Sequence, residues 1–216
     1  MDEVLYQYNP WWEGEAELPA VRPRPRHVDR LVETVRPGRA VFVTGLRRVG
    51  KSTILKLFAA RSIRDGRMPR SVLYVSLDDY VLSDSSILDV VERFRQLHRH
   101  RRDALILVLL DEVTAKDDFQ RQIKTLLDRE RVAVVASSSS ASLLRDDQGT
   151  LTGRRSTMEI MPLTLDEYLR FRGISLKRRD AGLVEEYFRD YARDGGLPEH
   201  ALYPARDYLM SLVEDI

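Results

Sequence analysis

The stretch 41-VFVTGLRRVGKST-53 decides the fold, because a short apolar strand, a glycine-bounded turn and the start of a helix follow one another in it. Gly45, Gly50, Lys51 and Ser52 satisfy the spacing G-x-x-x-x-G-K-[ST]. The glycines let the backbone turn tightly, so that successive amides face inward while the positive end of the next helix points to the same spot. Such a nest recognises phosphate oxygens. Lys51 adds a mobile charge for the terminal phosphates, and the Ser52 hydroxyl is a hard oxygen ligand of the kind Mg²⁺ prefers. Nucleotide contact is therefore expected along Gly45, Arg47, Arg48, Val49, Gly50, Lys51, Ser52 and Thr53, chiefly through backbone amides. The side chains of Arg47 and Arg48 have two readings: packing or partner contact, which is preferred, and an approach to the purine side.

Outward from this loop, apolar runs alternate with helical periodicity. "SVLYVSL" (71–77), "ALILVLLDE" (104–112), "VAVVASSSS" (132–140) and "STMEIMPL" (156–163) read as further strands. Helices are marked by Ile54 to Phe58, Ile87 to Leu97 and Phe119 to Leu127. Strands alternating with helices predict a parallel, doubly wound α/β sheet. Upstream, residues 1–25 read as an irregular arm, since the spaced prolines of "VRPRPR" oppose a helix, and the first helix is expected from Val28 to Val35. After Pro162 the pattern is helical only. "TLDE" (164–167) is a capping box, Leu183, Val184, Tyr187, Phe188 and Tyr191 form a stripe closed by Gly195-Gly196, and a last amphipathic segment spans Leu209 to Ile216. The expected organisation is an arm at 1–25, a phosphate-loop core at 26–163 and a helical lid at 164–216 that stops before a further C-terminal domain.

The third strand is apolar from Ala104 to Leu110 and ends in Asp111-Glu112. Acids at the C-terminal end of a buried parallel strand stand where α/β sheets bind ligands. Asp111 is expected to hold Mg²⁺ through water, and Glu112 to polarise an attacking water as general base. A double acid here favours hydrolysis over binding alone. Past the fourth strand, Ser137 and Ser138 stand where a hydroxyl senses the terminal phosphate, with Ser138 taken as the nucleotide contact; a plain serine-rich turn is the alternative. Arg154 and Arg155 are candidates for a charge supplied to a neighbouring subunit's phosphate, with Arg154 taken forward and an ordinary surface role as the alternative. The basic run "RFRQLHRHRR" (93–102) is either a nucleic-acid contact or a set of cations favoured at a helix C-terminus. Trp11 and Trp12 either stack on a base or pin the arm to the core, the second being preferred.

Composition bounds the rest. Lys+Arg 35 against Asp+Glu 34 gives no whole-molecule attraction to nucleic acid or anionic lipid. With Cys 0 there is no disulfide, thiolate metal site or cysteine nucleophile. No apolar run approaches the roughly 20 residues of a membrane span, so a cytoplasmic protein with no membrane contact is expected.

Taken together, "NPWW", "TGLRRVGKST", "VLYVSLDD", "LLDEV", "LTGRRSTMEIMPLTLDEYLRFRG" and "GGLPE" resemble the AAA+ P-loop ATPases abundant in archaea, many of them uncharacterised. The resemblance spans nearly the whole length in the same order. It implies a five-stranded sheet of order 5-1-4-3-2, Asp111 and Glu112 as the second nucleotide motif, a polar sensor near Ser137 or Ser138, an arginine finger near Arg154 and a small helical lid from about residue 164. It further implies ATP/ADP with Mg²⁺, a homo-oligomer, and a DNA or protein partner engaged through the C-terminal domain that this chain lacks. The expected activity is Mg-dependent ATP hydrolysis driving a conformational switch. The alternatives are an ATP-binding signalling or scaffold switch with little turnover and a small P-loop phosphotransferase.

Overall fold

The computed structural model describes residues 1–14, 22–139, 151–176 and 181–204. The segment expected at Leu209 to Ile216 lies outside the described residues, as does Ser140. The chain divides into two compact units, Met1–Gly45 with Lys51–Glu159, and Leu46–Gly50 with Ile160–Ile216. Among the described residues, no helix is long and apolar enough to cross a membrane.

The first unit is built on five parallel strands: β1 (Ala40–Thr44), β2 (Val72–Ser76), β3 (Ile106–Asp111), β4 (Val132–Ser138) and β5 (Arg155–Glu159). Their spatial order is β2-β3-β4-β1-β5, the expected order read from the opposite edge. Every residue of β1, β3 and β4 is buried, which is why these strands read as unbroken apolar runs rather than as alternations. Helices α3 (Lys51–Arg64), α4 (Ile87–His98) and α5 (Phe119–Arg129) supply the crossovers that parallel strands require. Register fixes what meets what: Thr44 is level with Ser138, Leu110 with Ala136, and Ser76 with Asp111. The ends of β1, β3 and β4 therefore fall at one edge of the sheet.

Three expectations need correction here. The arm is not irregular throughout: Asp2–Tyr8 is a helix, α1, and Pro10–Glu13 a 3₁₀ turn. Seven residues are too few to hold a helix alone, and this one persists because Leu5 is fully buried and the first-turn acids Asp2 and Glu3 suit the helix dipole. Helix α2 (Pro25–Thr34) starts before Val28, because a proline in the first turn needs no amide partner. Strand β5 ends at Glu159, short of the expected residue 163, and the second unit takes the chain from Ile160.

The arm covers the outer edge of the sheet. Strand β2 lies there with one side free of a neighbouring strand, and Asn9 stands in for one: its amide donates to the Tyr74 carbonyl at 2.8 Å and accepts the Tyr74 N–H at 2.6 Å. The same amide donates to the Leu5 carbonyl at 2.7 Å, so Asn9 ties α1 to β2. The indoles of Trp11 and Trp12 both donate to the Val72 carbonyl, at 3.1 and 2.8 Å. This assigns the tryptophans to pinning the arm. The basic run is likewise engaged within the chain, since Arg93 pairs with Asp2, Arg101 with Asp103 and Arg102 with Glu92, while buried Arg95 meets Glu130 at 2.6 Å.

The second unit carries α6 (Leu165–Phe171), α7 (Ala181–Asp194) and α8 (Pro198–Leu202). Its core is Leu163, Tyr168, Phe171 and Ala201, with Tyr191 packed against it. The capping box forms as read: Glu167 N–H donates to the Thr164 hydroxyl at 3.3 Å, and Thr164 N–H to the Glu167 carboxylate at 3.0 Å. Gly196 is required by contact, because a Cβ there would stand 2.7 Å from the Leu163 carbonyl oxygen. The stripe on α7 departs from expectation: Leu183, Val184 and Phe188 are exposed, and Tyr191 alone of the five packs against that core cluster.

The arm generates two predictions. Replacing Asn9 with Ala strands the backbone groups of Tyr74 and should lower unfolding free energy by about 2–3 kcal/mol, read by urea denaturation. His98 packs against Trp12, Phe94 and Tyr6, and its Nε2 is buried without a hydrogen bond among the described residues. Burial first, then the charges of His100 and Arg70, pull its pKa down to about 4. The unfolded chain thus binds a proton that the folded chain refuses, so this penalty is absent above about pH 6.5 and grows as the pH falls toward 4. His98→Phe keeps the ring packing and should flatten the loss of stability across that window.

Candidate phosphate-binding site

Helix α3 begins at Lys51, directly after the glycine-bounded loop, and Lys51 is buried. Its ammonium donates to the Gly45 carbonyl at 3.2 Å and to the Ser139 hydroxyl at 2.9 Å. The Ser139 hydroxyl in turn donates to Glu112 Oε1 at 2.8 Å. One serine therefore spans the lysine of the loop and the second acid of β3. Within the loop, Gly50 has φ +95°, a conformation that L side chains rarely adopt, and Arg48 is held at φ 61°. Leu46, Arg47 and Arg48 are exposed, whereas Val49 is fully buried. Gly50 also faces Pro198 at the start of α8, whose Cγ would be 3.8 Å from an added Cβ.

Asp111 is buried, and each of its carboxylate oxygens has a donor. The Tyr74 phenol donates to Oδ2 at 2.8 Å, and the Ser137 hydroxyl donates to Oδ1. Burial, and after it the charge of Asp111, push the Tyr74 pKa upward, so the phenol stays a donor. Ser137 also acts as an acceptor, its oxygen taking the Glu112 N–H at 3.0 Å. That bond holds Glu112 at φ 47° and ψ 53°, a left-handed conformation unusual outside glycine. The side chain of Glu112 is thereby turned out of the strand while Asp111 remains in it. Beyond Glu112, buried Lys116 donates to the carbonyls of Leu82 and Ser83, joining this turn to the one after β2.

Residues 37–169 match the AAA domain family. The chain belongs to that family. Among curated relatives of this AAA domain, the uncharacterized protein MJ1637 of Methanocaldococcus jannaschii is 27% identical over 88% of the chain and 38% of its own length. An uncharacterized protein of Haemophilus influenzae is 23% identical over 89% of the chain and 48% of its own length. The chain thus spans less than half the length of these relatives. The solved structure of Aeropyrum pernix ORC1 in complex with DNA is similar with a TM-score of 0.55, at 19% identity, over 92% of this chain and 62% of that one. The Saccharomyces cerevisiae Hsp104–ADP complex gives a TM-score of 0.58 at 19% identity, over 92% of this chain and 32% of that one. These likenesses bear out the resemblance read from the motifs and the nucleotide-binding P-loop ATPase fold.

The structure gathers Gly45, Lys51, Glu112 and, through Ser137, Asp111; Ser52 and Thr53 follow Lys51 in the first turn of α3, both half-buried. Ser138 is turned the other way, its hydroxyl 3.4 Å from that of Thr114. The serine that touches Lys51 is Ser139, one residue beyond the pair that the sequence suggests. Alternation along β4 explains the offset: Ser137 and Ser139 leave one face, and Ser138 the other. Arg154 is not near its own chain's loop. Strand β5 runs parallel to β1 with Arg155 level with Ala40, so Arg154 lies at the opposite end of the sheet from Gly45, paired with Asp128. Tyr74 escapes a sequence reading because it looks like one more apolar strand residue. The available signal is its period-2 relation to Ser76, which is level with Asp111.

Ser137→Ala should cost about 1–3 kcal/mol in a denaturant titration, since it leaves the Glu112 N–H without its acceptor and one Asp111 oxygen without its donor.

Proposed function

We propose that this AAA domain binds Mg-ATP at the loop from Gly45 to Ser52 and hydrolyses it, and that turnover switches the C-terminal helices or a domain attached to them. The observation that carries the reading is the single hydroxyl, Ser139, shared by Lys51 and Glu112. It sets the cation suited to terminal phosphates beside the acid suited to activating water. The donor set also fits Mg²⁺, because the Ser52 hydroxyl and the Asp111 carboxylate are hard oxygen ligands and a buried acid held by two donors is pre-oriented. Bound there, Mg²⁺ would screen the phosphate charge.

In this reading the amides from Gly45 to Thr53 wrap the triphosphate, and Lys51 exchanges the Gly45 carbonyl and Ser139 for phosphate oxygens. Glu112, released by Ser139, accepts a proton from the attacking water at its carboxylate, which at typical strength contributes about 10²–10⁴-fold. Pro198, beside Gly50, gives the C-terminal helices a point at which to sense the loop. In this reading Arg154 acts in trans, on a neighbouring copy. Its ion pair with Asp128 is half exposed and opens at little cost. The division into an arm, a core to residue 163 and a lid from 164 is retained as the working organisation, with Mg-ATP, ADP and a DNA or protein partner as ligands.

Phosphate release by wild type, Lys51→Ala and Glu112→Gln tests this. Both variants should fall at least about 100-fold, with Glu112→Gln still binding ATP, and equal rates in all three would refute hydrolysis. A rate that climbs steeply with protein concentration and collapses in Arg154→Ala supports the finger; a flat response removes it. One observation favours a second reading, a nucleotide switch with little turnover: the Glu112 carboxylate is held by Ser139 rather than free. Tight ATP binding with negligible release, even when concentrated and with duplex DNA added, selects that reading.

A further inference from the structure

A cavity of about 510 Å³ lies in the first unit at the sheet end opposite the phosphate loop, among α2, the last turns of α3 and the turn that follows α3. Its position follows from its lining, since Ser71 and Leu105 stand just before β2 and β3. Val32, Val35, Phe58, Met68 and Leu105 make the walls apolar, and Val32 and Met68 remain 38% and 68% exposed at the rim. Arg67 and Ser62 add the polar groups.

Arg67 is the unusual member. Its side chain is half-buried, yet among the described residues its guanidinium has no hydrogen bond or ion pair. By contrast, the partly buried or buried Arg61, Arg93 and Arg95 of this unit are paired with Asp65, Asp2 and Glu130. Asp65 also lines the cavity, but both its oxygens accept from Arg61, at 3.0 and 2.8 Å. Burial alone pulls the Arg67 pKa below the usual arginine value, a desolvation cost that no ion pair among the described residues offsets.

We propose that this cavity is a binding site for a small amphiphilic carboxylate, its head on Arg67 and its aliphatic body on Val32, Val35, Phe58 and Met68. A planar guanidinium matches a carboxylate through two parallel hydrogen bonds, and the Ser62 hydroxyl is a further donor within the same lining. One cation suits one negative charge; a phosphate dianion would meet Arg67 with the carboxylate of Asp65 close by. The volume lies within the roughly 300–1,000 Å³ usual for small-ligand sites. The site is independent of the nucleotide reading, because none of its residues belongs to the phosphate loop or the acids of β3.

Titration calorimetry on the full 216-residue chain tests it with octanoate, octanol, octylamine and octyl phosphate. Octanoate should bind saturably at one site, at least tenfold tighter than octanol or octylamine. Arg67→Gln should weaken octanoate at least tenfold, with a ligand-free melting temperature no lower than wild type's. Met68→Glu, at an exposed position, should do the same by offering Arg67 an internal carboxylate, and it serves as the readout if Arg67→Gln folds poorly. Absent octanoate binding, equal binding by octanol, or wild-type affinity in Arg67→Gln or Met68→Glu overturns the proposal. Tighter binding of octyl phosphate than of octanoate overturns the choice of a single charge.

Discussion

Parallel pairing of β1, β4 and β3 in one register is the constraint from which the rest of the site derives. Thr44 is level with Ser138 and Leu110 with Ala136, so the loop after β1, the acids closing β3 and the serines closing β4 converge on one edge. A slip of one residue between β3 and β4 would carry Ser137 to the far face of the sheet and leave one Asp111 oxygen without its donor. The burial of all three strands on both faces makes such a slip expensive, because every side chain would change environment. Core packing thus specifies the positions of polar groups that contribute nothing to it.

Those polar groups satisfy one another. Asp111 takes one hydrogen bond on each oxygen, Ser137 both gives and receives, and Glu112 is held in a left-handed turn by the bond to its own amide. A buried carboxylate is costly unless fully met by donors. Here it is met by two neutral hydroxyls instead of a cation. The strained residue is the second acid, not the first, and the turn it makes separates two adjacent carboxylates into a buried and a half-buried position.

Much of this is legible in the chain. The loop declares itself through glycine spacing within a strand-turn-helix setting, and β3 through an apolar run that stops at two acids. What eludes the sequence has physical causes in each case. Ser139 is hidden behind Ser138 because residues at a strand exit alternate faces, and nothing local says which serine faces inward. Helix α1 has too few residues to announce itself by periodicity and exists through its docking. The stripe on α7 has a sound helical period, but period reports that a face is apolar, not that anything covers it. Arg154 follows the serines closely along the chain, whereas the direction of β5 carries it to the other end of the sheet from Lys51 and Glu112.

The way Asn9, Trp11 and Trp12 cover β2 has a consequence for how molecules behave in company. An edge strand with free amides and carbonyls is a template on which another chain can add a strand. Here the Tyr74 N–H and carbonyl and the Val72 carbonyl are met by side chains that cannot propagate a ladder. The opening dozen residues therefore block strand addition at this one edge, and peeling them away would leave the β2 backbone groups open to pairing with another chain.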